Sequence, residues 1–227
     1  MASHFTIVFD LDGTLVDTAP DLIAVTDRML ASMGCGPVPE EAGRIAAGQG
    51  ARALISAGLA AHGRPLPPEG EWPELIAEFI RIYAGRIAER SRPFEGMHEV
   101  VRHCRAAGFG LAVCTNKKDF LAESLLRTLG MAEDFHAIVG ANTLGVGKPD
   151  PAPLLHGIAR AGGRPERALL LGDSTADVLA ARAAGTFSAL ARWGYLDRPA
   201  AAYQADFTVE TASETLALIE ELAATSP

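Results

Sequence analysis

The segment Phe5–Thr14, FTIVFDLDGT, decides how the rest of the chain is interpreted. Its first five residues form an apolar run of the kind that builds a buried strand. Two carboxylates, Asp10 and Asp12, follow at once, and Gly13 comes next. A lone pair of this kind is most often a turn or a helix cap. Whether the aspartate pair has a function therefore depends on which residues follow the other predicted strands.

Composition limits the possible classes of protein. The chain has 227 residues, of which 48% are apolar, which suits one large domain or a core with one insertion. The three cysteines, Cys35, Cys104 and Cys114, lack metal-ligand spacing, which suits a reducing cytoplasm. Cys104 and Cys114 lie in apolar segments, which predicts that they are buried structural thiols. The net charge of −8 is spread along the chain, which argues against a nucleic-acid partner. No leader or membrane span is visible, so we expect a cytoplasmic protein without a membrane partner.

Short apolar runs alternate with amphipathic segments over most of the chain, a pattern that predicts an α/β fold. The expected architecture is a doubly wound parallel sheet, a Rossmann-like core, with an inserted helical cap domain. The predicted strands are Thr6–Asp10, Leu111–Thr115, His136–Gly140, Ala168–Gly172, Phe187–Ala191 and Asp206–Val209. The predicted helices of the core are Met97–Ala107, Phe120–Leu129, Pro151–Ala161, Ala176–Ala184 and Glu214–Ala223.

One interval is too long to be a simple crossover. Asp10 and Thr115 are 105 positions apart, whereas a crossover needs only about 10–12 residues. The interval contains helical patterns at Leu22–Met33, around Gly43–Leu59, where glycines interrupt it, and at Pro73–Ala88. We therefore predict a catalytic core made of residues 1–17 and 91–227, and a helical cap of residues 18–90.

Four polar segments follow predicted strands of the sheet. They are DLDGT from Asp10, Thr115-Asn116, the GKP segment around Lys148, and GDSTAD, which contains Asp173 and Asp177. The carboxyl ends of parallel strands share one edge, where ligands bind. Carboxylates crowded at that edge repel one another unless a hard cation with oxygen ligands binds them. The sequence therefore predicts a Mg²⁺ site.

These four segments, in this order, resemble those of the haloacid-dehalogenase-like hydrolase superfamily. The resemblance rests on DLDGTLVD, GKPDP and GDSTAD taken together, and it covers nearly the whole chain. The long helical insertion after the first segment is similar to the cap domain that many members carry at this place. Members that remove halide typically lack the second aspartate, so the presence of Asp12 favours a phosphatase or a phosphomutase.

Phosphoryl transfer requires a nucleophile, a proton donor and neutralisation of charge. The resemblance assigns Asp10 as the nucleophile that becomes an aspartyl-phosphate. It assigns Asp12 as the acid that protonates the leaving alcohol and then activates water. It places the metal on Asp10, the backbone carbonyl of Asp12, Asp173 and Asp177, the last directly or through water. The predicted phosphate-binding residues are Gly13, Thr115, Asn116 and Lys148.

Within the superfamily, the N-terminal motif, AGQGARALI (residues 47–55) and ARWGYLD (residues 191–197) resemble phosphoglycolate phosphatases. The predicted activity is Mg²⁺-dependent hydrolysis of a small phosphomonoester, and the favoured substrate is 2-phosphoglycolate. We expect Arg52 in the cap to bind the substrate carboxylate in a bidentate pair, against the alternative of an exposed helical arginine.

The sequence is also compatible with other activities. Sugar-phosphate phosphatases, pyrophosphatases and phosphomutases share much of the pattern. Receiver domains also use clustered aspartates, a lysine and Mg²⁺, but they are switches that need no second acid and no helical insertion. The oligomeric state is open between a monomer and a homodimer.

Overall fold

The protein is described here by a computed structural model that covers residues 5–225, so the first four and last two residues of the predicted core lie outside it. The chain forms two compact units. One contains the described residues up to Val16 and from Pro93 onwards, and the other is Asp17–Arg92. The strands are β1 (Thr6–Phe9), β2 (Val16–Asp17), β3 (Arg92–Pro93), β4 (Gly110–Cys114), β5 (Ala137–Val139), β6 (Ala168–Gly172), β7 (Phe187–Ala191) and β8 (Phe207–Val209).

The helices account for most of the remaining regular structure. They are α1 (Ala19–Ser32), α2 (Glu40–Ala47), α3 (Ala51–Ala61), α4 (Trp72–Ala84), α5 (Met97–Ala106), α6 (Asp119–Thr128), α7 (Ala152–Arg160), α8 (Thr175–Ala184) and α9 (Ala212–Thr225). Within residues 5–225, none of them combines the length and the apolar character that crossing a membrane requires.

The first unit is built on a six-stranded parallel sheet with the order β5-β4-β1-β6-β7-β8. The chain starts in the middle at β1, builds one side of the sheet, and then crosses back to build the other. This is a doubly wound α/β sheet, as the sequence predicts, and each predicted strand is present with its ends shifted by at most one residue. The carboxyl end of β1 lies at the switch point, where such sheets bind ligands.

The three central strands are buried along their whole length. On one face, Val8, Ala112 and Leu170 pack with Leu154 and Ile158 of α7. Strands covered by helices on both faces have continuous apolar sequences instead of alternating ones, which explains the runs TIVF, GLAVC and ALLLG. Cys104 and Cys114 are fully buried, which confirms the prediction of buried thiols at these positions. Their burial raises the pKa of each thiol to about 12.

The second unit consists of α1 to α4 and a short 3₁₀ turn. The pattern around residues 43–59 forms two helices, α2 and α3, separated at Gly48 and Gly50. The prediction of a helix up to Ala88 is wrong at its end, since α4 stops at Ala84. Gly85 follows directly and Ala88 has a φ of 61°, which is incompatible with a continuing helix. That this unit acts as a cap stays a prediction.

A buried carboxylate ties the start of the second unit to its end. Asp21, in the first turn of α1, is 3% exposed. Its oxygens accept hydrogen bonds from the backbone N–H groups of Arg90 (3.0 and 3.1 Å) and Ser91 (2.8 Å). They also accept one from the Ser91 hydroxyl at 2.6 Å. Three donors therefore make four hydrogen bonds to one buried carboxylate, which links the first turn of α1 to residues 90 and 91.

Replacing Asp21 with alanine should therefore destabilise the protein. Asp21→Ala leaves buried N–H donors without an acceptor, which should lower the free energy of unfolding by about 3 kcal/mol. Asp21→Asn should recover part of the loss, because its amide oxygen still accepts. Urea unfolding followed by circular dichroism measures both changes. Glu74→Ala, at an exposed position of α4, is the control; an Asp21→Ala protein as stable as this control contradicts the assignment.

Candidate active site

Three aspartates converge at the carboxyl ends of β1 and β6. The backbone N–H of Asp10 donates to the Leu171 carbonyl at 2.8 Å, which joins the two strand ends. Asp173 follows β6, and Asp177 lies in the first turn of α8. One carboxylate oxygen of each residue lies within 4.8 Å of the others, and all three residues are buried. We call Asp10, Asp173 and Asp177 the carboxylate cluster.

Lys148 supplies the positive charge inside the cluster. Its ammonium lies 2.9 Å from Asp10 Oδ1 and 2.6 Å from Asp177 Oδ1, and it donates to the Cys114 carbonyl at 2.7 Å. The side chain is 2% exposed. A lysine buried to this degree is stable only because its three donors have acceptors.

Two hydrogen bonds fix the orientation of the Asp173 carboxylate. The Thr14 hydroxyl donates to Oδ1 at 3.2 Å, and the Tyr195 backbone N–H donates to Oδ2 at 2.6 Å. Gly13 has a φ of 83°, and a Cβ there would overlap the Asp173 carboxylate. A Cβ at Gly194 would overlap the same side chain. Both glycines are therefore required for the backbone to approach Asp173 so closely.

Asp177 is fixed by the start of its own helix. Its Oδ2 accepts from the Ser174 backbone N–H at 3.0 Å and from the Ser174 hydroxyl at 2.5 Å. The Asp177 backbone N–H donates to the Ser174 hydroxyl oxygen at 3.3 Å, which completes a capping box. One oxygen thus caps the helix, while the other faces Lys148.

The charges in this cluster do not balance. One lysine faces three carboxylates, so full ionisation leaves an excess of negative charge. Burial is the main reason that the pKa of Asp10 rises to about 7; Lys148 opposes the rise and Asp177 adds to it. Burial, then Asp10 and Asp177, raise the pKa of Asp173 well above its usual range. Burial alone lowers the pKa of Lys148, but the negative charges of Asp10 and Asp177 outweigh it and raise that pKa.

The Asp12 carboxylate lies outside the carboxylate cluster and forms an ion pair with a different lysine, Lys117. The Lys117 ammonium donates to both carboxylate oxygens of Asp12, at 2.8 and 3.0 Å. Lys117 directly follows the Thr115-Asn116 segment and is not among the site residues predicted from the sequence. The one signal available was its place in a loop beside predicted site residues.

The remaining predicted residues of the first unit organise the loops at this edge. The Thr115 hydroxyl oxygen accepts from the Lys117 backbone N–H at 3.2 Å. The Asn116 side chain donates to the Lys148 carbonyl at 2.9 Å, which links the segments after β4 and β5. Their roles in binding phosphate, like that of Gly13, stay predictions.

Arg52 belongs to the second unit, where it has partners of its own. Its guanidinium donates two hydrogen bonds to the Glu69 carboxylate, at 3.1 and 2.5 Å. It also lies over the Trp72 ring, 4.5 Å from the centroid. About half of the arginine side chain is exposed, so this surface pair contributes little to stability.

The fold and the site together define a class of enzyme. A buried carboxylate at the end of a central strand, a lysine beside it and a second carboxylate two residues on have the chemistry that a nucleophile, charge compensation and an acid–base group require. On a doubly wound sheet, this set of groups is suited to phosphoryl transfer.

Comparison with known proteins agrees with this class. The family described as haloacid dehalogenase-like hydrolase matches residues 7–191. The "Phosphoglycolate phosphatase" of Caulobacter vibrioides is 42% identical over 206 residues, which cover 91% of this chain and 86% of that protein. The "N-acetylmuramic acid 6-phosphate phosphatase" of Pseudomonas aeruginosa is 38% identical over 218 residues, with 94% of each chain covered.

Among solved structures, a predicted phosphoglycolate phosphatase from Haemophilus somnus superposes with a TM-score of 0.84 and 28% identity. The match covers 96% of this chain and 99% of that one. The chain therefore belongs to the haloacid dehalogenase-like hydrolase family.

The raised pKa of Asp10 predicts how stability depends on pH without metal. The stability that protonated Asp10 contributes is fully present below pH 3.8 and is lost as the pH rises to about 7. In EDTA, Asp10→Asn should therefore melt several degrees above wild type at pH 8, and this advantage should shrink as the pH falls towards 5. Saturating Mg²⁺ should reduce it at pH 8, because a cation stabilises ionised Asp10. Thermal unfolding measures this; parallel pH profiles for the two proteins contradict it.

Proposed function

We propose that this protein is a Mg²⁺-dependent phosphatase that hydrolyses a small phosphomonoester, 2-phosphoglycolate, through an aspartyl-phosphate on Asp10. The observation that carries the proposal is the position of Asp10 at the switch point of the sheet, within hydrogen-bonding distance of Lys148 and beside Asp173 and Asp177. Burying three carboxylates around one lysine costs desolvation energy, and such clusters are typical of functional sites.

The chain's own residues account for both halves of the reaction. A carboxylate oxygen of Asp10 attacks phosphorus, and the bond from phosphorus to the ester oxygen breaks. Asp12 donates a proton to the departing alkoxide and then takes a proton from the water that attacks the aspartyl-phosphate. Phosphate is released and Asp10 is regenerated. Lys148 offsets the charge on Asp10, and Thr115, Asn116 and the backbone at Gly13 bind phosphoryl oxygens.

The carboxylate cluster suits Mg²⁺, which prefers oxygen ligands. Asp10, Asp173, Asp177 and the Asp12 carbonyl would hold the ion. When bound, it would neutralise charge on the phosphoryl group. The excess of three buried carboxylates over one lysine supports this proposal, and the upward direction of the Asp10 and Asp173 pKa values agrees with it.

The choice of 2-phosphoglycolate rests on the relatives. The protein from Caulobacter vibrioides carries that substrate in its name. The relative from Pseudomonas aeruginosa favours a second candidate, the phosphate ester of an acidic amino sugar. Both substrates combine a phosphate with a carboxylate, so a cation that binds a carboxylate would serve either one.

We propose that Arg52 is this cation. Its planar guanidinium binds Glu69 through two hydrogen bonds, which is the geometry that a substrate carboxylate would use in its place. The proposal also places the enzyme in the cytoplasm, as a monomer or a homodimer, with a mobile cap formed by Asp17–Arg92.

The nucleophile can be tested directly. Asp10→Asn should reduce phosphate release from 2-phosphoglycolate with Mg²⁺ by at least about 1,000-fold, because the amide is a poor nucleophile. Asp27→Asn, the same change in the second unit, is the control and should remain fully active. Mass spectrometry of the variant excludes deamidation back to aspartate. If Asp10→Asn retains a tenth of wild-type turnover, the mechanism is wrong.

If Arg52 binds the substrate carboxylate, its removal should reduce activity only on substrates that have a carboxylate. Arg52→Ala should lower kcat/KM for 2-phosphoglycolate by about 10-fold or more, as expected for losing a charged hydrogen bond. It should leave p-nitrophenyl phosphate, which has no carboxylate, nearly unaffected. Arg64→Ala, an exposed arginine of the same unit, is the control. Equal losses on both substrates would assign Arg52 to the fold of its unit, and no loss on either would make it a surface residue.

A further inference from the structure

Three of the four aspartates of the site are paired with two different lysines. Lys148 bonds with Asp10 and Asp177 inside the carboxylate cluster. Lys117 bonds with Asp12, whose carboxylate is not part of that cluster. In the proposed reaction, Lys148 offsets the charge on Asp10, whereas Lys117 has no assigned role. The second pair is nearly as well shielded from solvent, since 6% of the Lys117 side chain and 17% of the Asp12 side chain are exposed.

The geometry of the second pair restrains Asp12. Two hydrogen bonds from one ammonium to both oxygens, at 2.8 and 3.0 Å, fix the rotation of the carboxylate as well as its position. Lys117 is itself anchored, because its backbone N–H donates to the Thr115 hydroxyl oxygen at the end of β4. Charge-assisted bonds of this kind are strong when they are shielded from water.

Asp12 needs such a restraint. It lies two residues after Asp10, next to a cluster in which three carboxylates surround one lysine, so an additional carboxylate there would be repelled. To protonate a leaving oxygen, an acid must be held within hydrogen-bonding distance of it. A side chain that rotates freely at this place spends time turned towards solvent, or competes for the cation that the cluster binds.

We propose that Lys117 is a positioning residue for Asp12. It keeps the Asp12 carboxylate outside the carboxylate cluster and in one orientation, available to the leaving group. This inference rests on the proposed function, since it concerns how the acid of that reaction is held. Lys117 acts through Asp12 and need not contact the substrate.

A double-mutant cycle tests this directly. Lys117→Met, which keeps the side-chain length and removes the charge, should lower kcat/KM for 2-phosphoglycolate by about 10-fold or more with little change in KM. The loss should be smaller for p-nitrophenyl phosphate, whose leaving group departs without a proton. In an Asp12→Asn background, Lys117→Met should cause no further loss on either substrate. Lys117→Arg should restore part of the activity.

Lys118→Met is the matched control. It removes the same charge at the next position, where the side chain is exposed, and it should leave all rates unchanged. Additive losses in the cycle overturn the proposal, because Lys117 then acts independently of Asp12. A loss confined to KM for carboxylated substrates overturns it in favour of a substrate contact. A fall in melting temperature that accounts for the loss overturns it in favour of a structural role.

A crystal structure of Lys117→Met keeps the test separate from the proposed function. The expected result is an Asp12 carboxylate that is displaced or spread over several conformations. An Asp12 carboxylate unchanged in position contradicts the inference. If wild type hydrolyses no phosphomonoester, the proposed function fails, while this structure still decides whether Lys117 positions Asp12.

Discussion

The repulsion between three buried carboxylates around a single lysine is the constraint on which this site depends. Asp10, Asp173 and Asp177 stand within 4.8 Å of one another, and Lys148 compensates only part of their charge. Burial and mutual repulsion raise the pKa values of Asp10 and Asp173. An arrangement so unfavourable in isolation requires a rigid framework to hold it, and it is chemically suited to a positive ligand.

The framework is the doubly wound sheet and the polar groups at its edge. Parallel pairing of β1 with β6 brings Asp10 and Asp173 together, and the capping box of α8 fixes Asp177. Backbone groups contribute as much as side chains, since the Tyr195 N–H holds Asp173 and the Cys114 carbonyl holds Lys148. The general arrangement of the fold therefore positions the site before any ligand binds, which lowers the cost of binding.

Much of this was predictable from the sequence, for identifiable reasons. The apolar run before Asp10 and the polar residues after the other strands predict which side chains share the sheet edge, because parallel strands place their ends together. Lys117 was not predictable, since it stands beside Lys118 and only packing decides which of the two turns towards Asp12. Glu69, 17 residues from Arg52, and the backbone donor of Tyr195 leave no local signal in the sequence.

The central claim, that a divalent cation completes the carboxylate cluster, is tested most directly by calorimetric titration of EDTA-treated protein with Mg²⁺. The titration is run at pH 6.5 in buffers of different ionisation enthalpy, which reveals the protons exchanged on binding. Because burial raises the pKa of metal-free Asp10 to about 7, we expect one cation to bind per chain, with release of protons at pH 6.5. Absence of binding, or binding without proton release at pH 6.5, would contradict it.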